Sequence, residues 1–131
     1  MLKVIAAHDA GVAINRTAIE GQIEGAVFMG IGYALTEEFV QERGWILSDS
    51  LHKIALPRST MPTAVVPIIV EDPDPQGPFG AKGLAEAGAV PTAPAVCNAI
   101  FDAVGVRIRE LPATKDKVLL GLLTLQQSSG A

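Results

Sequence analysis

A single cysteine, Cys97, is all that the 131 residues contain. An internal disulfide is therefore excluded, as is a cysteine-built zinc or iron–sulfur site within this chain. Charge is also scarce, at 18% of residues against about 25% in ordinary soluble domains. There is no run of Lys or Arg, the net charge is −4 and the pI is about 5.0, which argues against a nucleic-acid role. No stretch approaches the roughly 18 uninterrupted apolar residues of a membrane span. The apolar run after Lys3 meets His8 and Asp9 too soon to be the core of a signal peptide. No membrane role is expected, and a cytoplasmic, reducing location fits. What the sequence does have is apolar residues, 49% of the total, with a mean hydropathy of +0.35. Disorder is thus excluded as the main state. The length suits one domain with one core, and part of its surface is expected to be covered by something else.

Val4 to Ala7 reads as a buried strand, and Gly11 breaks it. Thr17-Ala18-Ile19-Glu20 has the form of a capping box, and Ile19, Ile23, Val27 and Tyr33-Ala34 continue at helical spacing towards Gln41-Glu42. Gly21, Gly25, Gly30 and Gly32 interrupt this helix, each costing about 0.8–1 kcal/mol relative to Ala. Either tight helix–strand packing or a ligand pressed against the backbone would account for them. Gly44 to Leu47 and Val65 to Val70 read as strands, with Pro67 placing the second at a sheet edge. Ser50 to Thr63 reads as irregular chain, and Asp72 to Gly80, dense in Pro, Gly and Asp, as a loop. A second helix starts at Thr92 with Pro94 and stops at Gly105. Val106 to Arg109 alternates like a half-exposed strand. Thr114 caps a last helix to about Leu123, leaving Gln126 to Ala131 as a frayed polar tail. The expected fold is α+β, a single domain over 1–125 in the order β-α-β-β-α-β-α.

The segment Gly77-Pro-Phe-Gly-Ala-Lys-Gly-Leu-Ala-Glu86 could carry chemistry. Its glycines let backbone N–H groups approach a ligand, and Lys82 adds a cation. A phosphate loop requires Gly before the Lys and Ser or Thr after it. Ala81 and Gly83 stand there instead, so that motif fails, and an ordinary Gly-rich surface loop is the plain alternative. Glu86 has no charged residue nearer than Lys82 and sits among small, apolar neighbours. Such a carboxylate would be partly desolvated and suited to act as a general base. A solvated position at a helix start fits the same residues. His8 and His52 lack companions at metal-ligand spacing. The serines lack a nucleophile-elbow context, and Cys97 reads as packing. Glu37-Glu38 and Asp72 with Asp74 read as solvated faces.

Several segments taken in order resemble a known family. These are Asp9-Ala-Gly11, Ala13-Ile-Asn15, Glu20-Gly-Gln-Ile-Glu-Gly25, Gly30-Ile-Gly-Tyr-Ala-Leu35, then Gly77 to Glu86, Pro91-Thr-Ala-Pro94, Asn98-Ala-Ile100 and Ala103-Val-Gly-Val-Arg107. Together they resemble the C-terminal part of the molybdopterin-binding subunit of the xanthine dehydrogenase/aldehyde oxidase family of molybdenum hydroxylases, over about residues 3 to 122.

The resemblance implies hydroxylation of an aldehyde or N-heterocycle with oxygen drawn from water, Glu86 being the general base that activates Mo–OH. It implies that Gln22 hydrogen-bonds a molybdopterin-type cofactor, that Gly21 and Gly25 let the cofactor lie against backbone, and that Lys82 and Gly83 line the same pocket. No residue is implied as a metal ligand. Three positions depart from the family: Ala85 replaces a glycine, Met29 a frequent second glutamine and Val12 a frequent arginine. If the backbone at 85 needs φ > 0, alanine is strained there.

Family subunits are many times longer, so the implied partners are a larger molybdopterin-binding chain sharing the cofactor and iron–sulfur and flavin (FAD) subunits that carry electrons away, with a small-molecule substrate. The isolated chain is then expected to be inactive and to self-associate through its uncovered face. The rival reading is a non-catalytic remnant that kept the fold to bind a protein.

Overall fold

A computed structural model describes residues 1–61 and 63–129. It is a mixed helix-and-strand chain with elements β1 (Lys3–Asp9), α1 (Arg16–Leu35), β2 (Gln41–Glu42), β3 (Trp45–Ile46), α2 (Leu51–Ile54), β4 (Ala64–Val70), α3 (Thr92–Val104) and α4 (Lys115–Ser129). Two single 3₁₀ turns, Pro78–Gly80 and Glu86–Ala89, lie between β4 and α3. Contacts divide the chain into two compact units. The first is Met1–Gly30 with Arg58–Pro91, and the second is Ile31–Pro57 with the described residues from Thr92 onward. Helix α1 contributes to both.

In the first unit β1 and β4 pair in parallel, Lys3 opposite Ala64 and Asp9 opposite Val70. The apolar, β-branched character of Val65 to Val70 suits a strand. Ala64 N–H donates to Leu2 C=O, and Ala10 N–H donates to Val70 C=O. Backbone direction alternates along a strand, so the even-numbered residues of both strands face each other and Pro67 turns its imino group outward. This is why a proline is tolerated there. In α1, Ile23, Ala26, Val27 and Gly30 form a buried stripe at helical spacing. Burying Ile23 contributes about 1.5–3 kcal/mol relative to leaving it exposed.

The start of α1 corrects one expectation. Asn15, not Thr17, caps it: Asn15 Oδ1 accepts from Ala18 N–H at 3.0 Å, and its C=O accepts from Ile19 N–H. The helix also ends at Leu35, earlier than the apolar spacing suggested, where Thr36 and Glu37 N–H groups both close on Gly32 C=O.

In the second unit Ala34, Ala93 and Val96 form the core, with Leu35 and Ile100 packed against it. The expected strand near Gly44 is a short hairpin. Arg43 and Gly44 form its turn, both with positive φ (48° and 86°) as a two-residue type I′ turn requires. Ser50 caps α2 inside the stretch expected to be irregular, its Oγ accepting from Lys53 N–H. Helix α3 runs from Thr92 to a glycine stop, as its sequence indicated. Gly105 takes φ 72° and its N–H returns to Phe101 C=O.

Val106 to Arg109 is not a strand. Val106 is buried against Gly121 of α4, while Arg107 stacks over the Phe101 ring at 3.7 Å and donates to Asn98. The alternation of that segment therefore reflects packing on helices, with no ladder. Thr114 Oγ1 accepts from Lys117 N–H at the start of α4. That helix continues through Ser129, so Gln126 to Ser128 are helical and not a frayed tail; Gly130 and Ala131 lie outside the described residues. Among the described residues one stretch, Glu86–Val104, is long and apolar enough by composition to cross a membrane. It consists of a 3₁₀ turn, the Val90-Pro91 break and α3.

Candidate functional site

The carboxyl ends of β1 and β4, where open α/β sheets commonly bind ligands, carry the densest polar network. Asp9 is its centre. Its Oδ1 accepts from Gly11 N–H at 2.9 Å and from Asp72 N–H at 3.3 Å, and its Oδ2 lies 2.5 Å from the Lys82 ammonium. Lys82 also reaches Asp72 at 3.3 Å. The Lys82 hydrogen bond, aided by the one from Gly11, holds the Asp9 carboxyl below the usual carboxylate range; Asp9 in turn holds Lys82 above the usual ammonium value.

The backbone follows the same path. Lys82 N–H donates to Ala10 C=O and Val12 N–H to Gly80 C=O, so the Pro/Gly-rich loop is fastened to the residues after β1. Gly11 sits at φ 63°, and a Cβ there would lie 2.8 Å from Lys82 N. Only glycine allows this closeness. One step further on, Glu71 accepts from Ala13 N–H and from Arg16, both at 2.9 Å, which lowers its pKa, the Ala13 bond first.

This network was not read in the sequence. Asp9 and Lys82 are 73 residues apart, and Asp72 is exposed, as a solvated face should be, while also meeting Lys82.

Beside the network lies a cleft of about 250 Å³ whose walls include Val12, Asn15, Ala18, Gln22, Lys82 and Leu84. Gln22 is exposed on α1 and faces this cleft; Lys82 closes the other side. Gly21 and Gly25 line a different opening of about 350 Å³, with Glu24, Phe28, Thr63 and Val65. Among the described residues, nothing beyond the helix's own backbone comes within 4 Å of where a Cβ would stand at Gly21 or Gly25, so packing by those residues does not explain these two glycines. It does explain Gly32, where a Cβ would overlap the Glu37 carboxylate and touch Pro57. The structure thus brings Gln22 together with Lys82, and Gly21 with Gly25, but not all four in one cavity.

Gly83 is exposed, no described residue comes within 4 Å of where its Cβ would stand, and it lines neither cleft. Glu86 opens the Glu86–Ala89 turn, which is pinned to α1 where a Cβ on Gly88 would stand 3.1 Å from Ala26 Cβ. Its side chain is exposed, so this chain does not supply the desolvation expected for it. Ala85 has φ −149°, so the residue before Glu86 does not take positive φ. Cys97 is partly buried on α3, away from these residues in the sequence, beside Asn98 and Arg107.

Residues 1–61 match the family of molybdopterin cofactor-binding domains. The chain is 35% identical over 120 residues to a xanthine dehydrogenase molybdenum-binding subunit of Escherichia coli O157:H7, covering 88% of this chain and 16% of that protein. It is 37% identical over 116 residues to an aldehyde oxidoreductase of Megalodesulfovibrio gigas, covering 87% of this chain and 12% of that one. The crystal structure of the aldehyde oxidoreductase from Desulfovibrio desulfuricans ATCC 27774 superposes with a TM-score of 0.84 at 31% identity, over 92% of this chain and 13% of that chain. The chain belongs to the xanthine dehydrogenase/aldehyde oxidoreductase family of molybdenum-binding subunits. It matches a fragment of such a subunit, spanning 12–16% of these relatives' length. Within this family fragment, the Asp9–Lys82 network is what fixes the Lys82 wall of the cleft.

Proposed function

We propose that the chain forms one flank of the molybdopterin pocket of a molybdenum hydroxylase that oxidises an aldehyde or N-heterocycle with water-derived oxygen. The observation that carries this reading is the α1 surface. Gln22 presents its amide to a cleft, and at Gly21 and Gly25 no described residue packs against the helix backbone. Gln22 and the two glycines line separate openings along α1, so a hydrogen-bonding cofactor would have to lie along the helix across both. Gln22 would hydrogen-bond it, and Gly21 and Gly25 would admit it close to the helix. Lys82, engaged by Asp9 and Asp72, would hold the wall and not act as a loose cation.

When bound, the molybdenum cofactor supplies the two-electron acceptor for oxidation of the substrate carbon. Glu86 would accept, at a carboxylate oxygen, the proton released as water-derived oxygen is added to that carbon, a role worth about 10²–10⁴ in rate. Its exposure here means that the burial a base near neutral pH needs would come from the rest of the subunit. Residues 1–125 would then be the cofactor-binding part. A larger molybdopterin-binding chain and iron–sulfur and flavin subunits would be its partners, in the cytoplasm. The isolated chain would be inactive.

The test is to tag the chain in its source cell, purify it gently and assay molybdenum and associated proteins. Molybdenum together with a large molybdopterin-binding partner is the expected result. A chain recovered alone and metal-free contradicts the reading and favours a remnant that kept the fold.

A further inference from the structure

We infer that the outer edge of β1, and not that of β4, is a docking edge for a β-strand contributed by the remainder of the molybdenum-binding subunit. This rests on the proposed function for the partner's identity but on the sheet's own geometry for the place. Parallel sheets occur almost only with both faces covered and several strands wide. This one has two strands, and a lone pair of strands is marginal in water. Ile5, Val66 and Ile68 lie on one face of it, all exposed, with Ile5 at 61%.

The two open edges are not equivalent. The register turns the odd-numbered residues outward on both strands. On β4 the middle outward residue is Pro67, which has no N–H and interrupts any ladder. On β1 the outward residues before the terminal Asp9 are Lys3, Ile5 and Ala7, each with a complete N–H and C=O pair, and none of the three has a backbone hydrogen-bond partner among the described residues. An unpaired edge beside an exposed apolar face is the template that strand addition uses.

The occupant follows from length: the chain spans 12–16% of its relatives, so most of a subunit of this type lies outside it. The added strand would pair with Ile5 and Ala7 and extend the apolar face of Ile5, Val66 and Ile68.

Residue-resolved amide hydrogen exchange tests this, comparing the chain alone with the complex recovered from its source cell. Slowing of the Lys3, Ile5 and Ala7 amides by at least tenfold in the complex, with Val65 and Ile69 unchanged, is expected. Protection at Val65 and Ile69 instead, or at neither edge, overturns the inference. Protection already present in the chain alone, and lost on dilution, overturns it in favour of a second copy. Molybdenum content of the same complex is read separately. A metal-free complex with the β1 edge protected would fail the proposed function while upholding the edge.

Discussion

The Lys82 ammonium sits 2.5 Å from Oδ2 of Asp9, joining the end of β1 to a loop 73 residues later. Asp9 also accepts from two backbone N–H groups, so its charge organises main chain as well as a side chain. Its pKa is depressed in the fold. The stabilisation it contributes is therefore fully present above the ordinary value of 3.8 and is lost as pH falls through the lowered one. Lys82 is raised, so its contribution is complete below 10.5 and disappears as pH rises through the raised value. In thermal unfolding, Asp9→Asn should lower Tm at pH 7, and the gap from wild type should close as pH falls below 3.8. A gap that stays constant from pH 7 to pH 3 would contradict this role for the pair.

Two glycine-to-alanine changes should move stability in opposite directions. Gly25 lies mid-helix with open space around it, so Gly25→Ala should stabilise the chain by about 0.8–1 kcal/mol. Gly121 is packed against Val106, where an added methyl would overlap the valine side chain, so Gly121→Ala should cost about 1–3 kcal/mol. Denaturant titration measures both. In the assembled enzyme Gly25→Ala should lower molybdenum content, because the same methyl intrudes on the proposed cofactor flank.

Replacing Asn15 by Ala should cost about 1 kcal/mol through loss of the cap on α1. Thr17→Ala should change stability by less than about 0.5 kcal/mol, as for a surface position that makes no cap. Urea midpoints of the two variants check this, and equal losses would restore the capping box.

How much of this was legible in the sequence follows from how local each signal is. The apolar strands β1 and β4 and the helices α1, α3 and α4 carry their patterns within a few residues, as does the Gly105 stop. Helix α2 does not, because four residues hold no period. Val106 to Arg109 misled because Val106 faces α4 and Arg107 faces Phe101, which imitates a strand's alternation. At the candidate site, Lys82 was marked by the Gly-rich segment and Gln22 by family resemblance, and the two share a cleft. Asp9 and Glu71 were missed because their partners lie 55–73 residues away. For Glu86 the neighbouring residues allowed either a desolvated carboxylate or a solvated one at a helix start, because small neighbours in sequence do not decide burial; its exposure matches the second.

Glu86 is proposed as the base of the assembled enzyme. The most direct measurement is turnover of the complex carrying Glu86→Gln, with molybdenum quantified in the same preparation. A fall of about 10²–10⁴ in kcat with molybdenum content unchanged is the predicted result. Unchanged turnover at full molybdenum occupancy would contradict it.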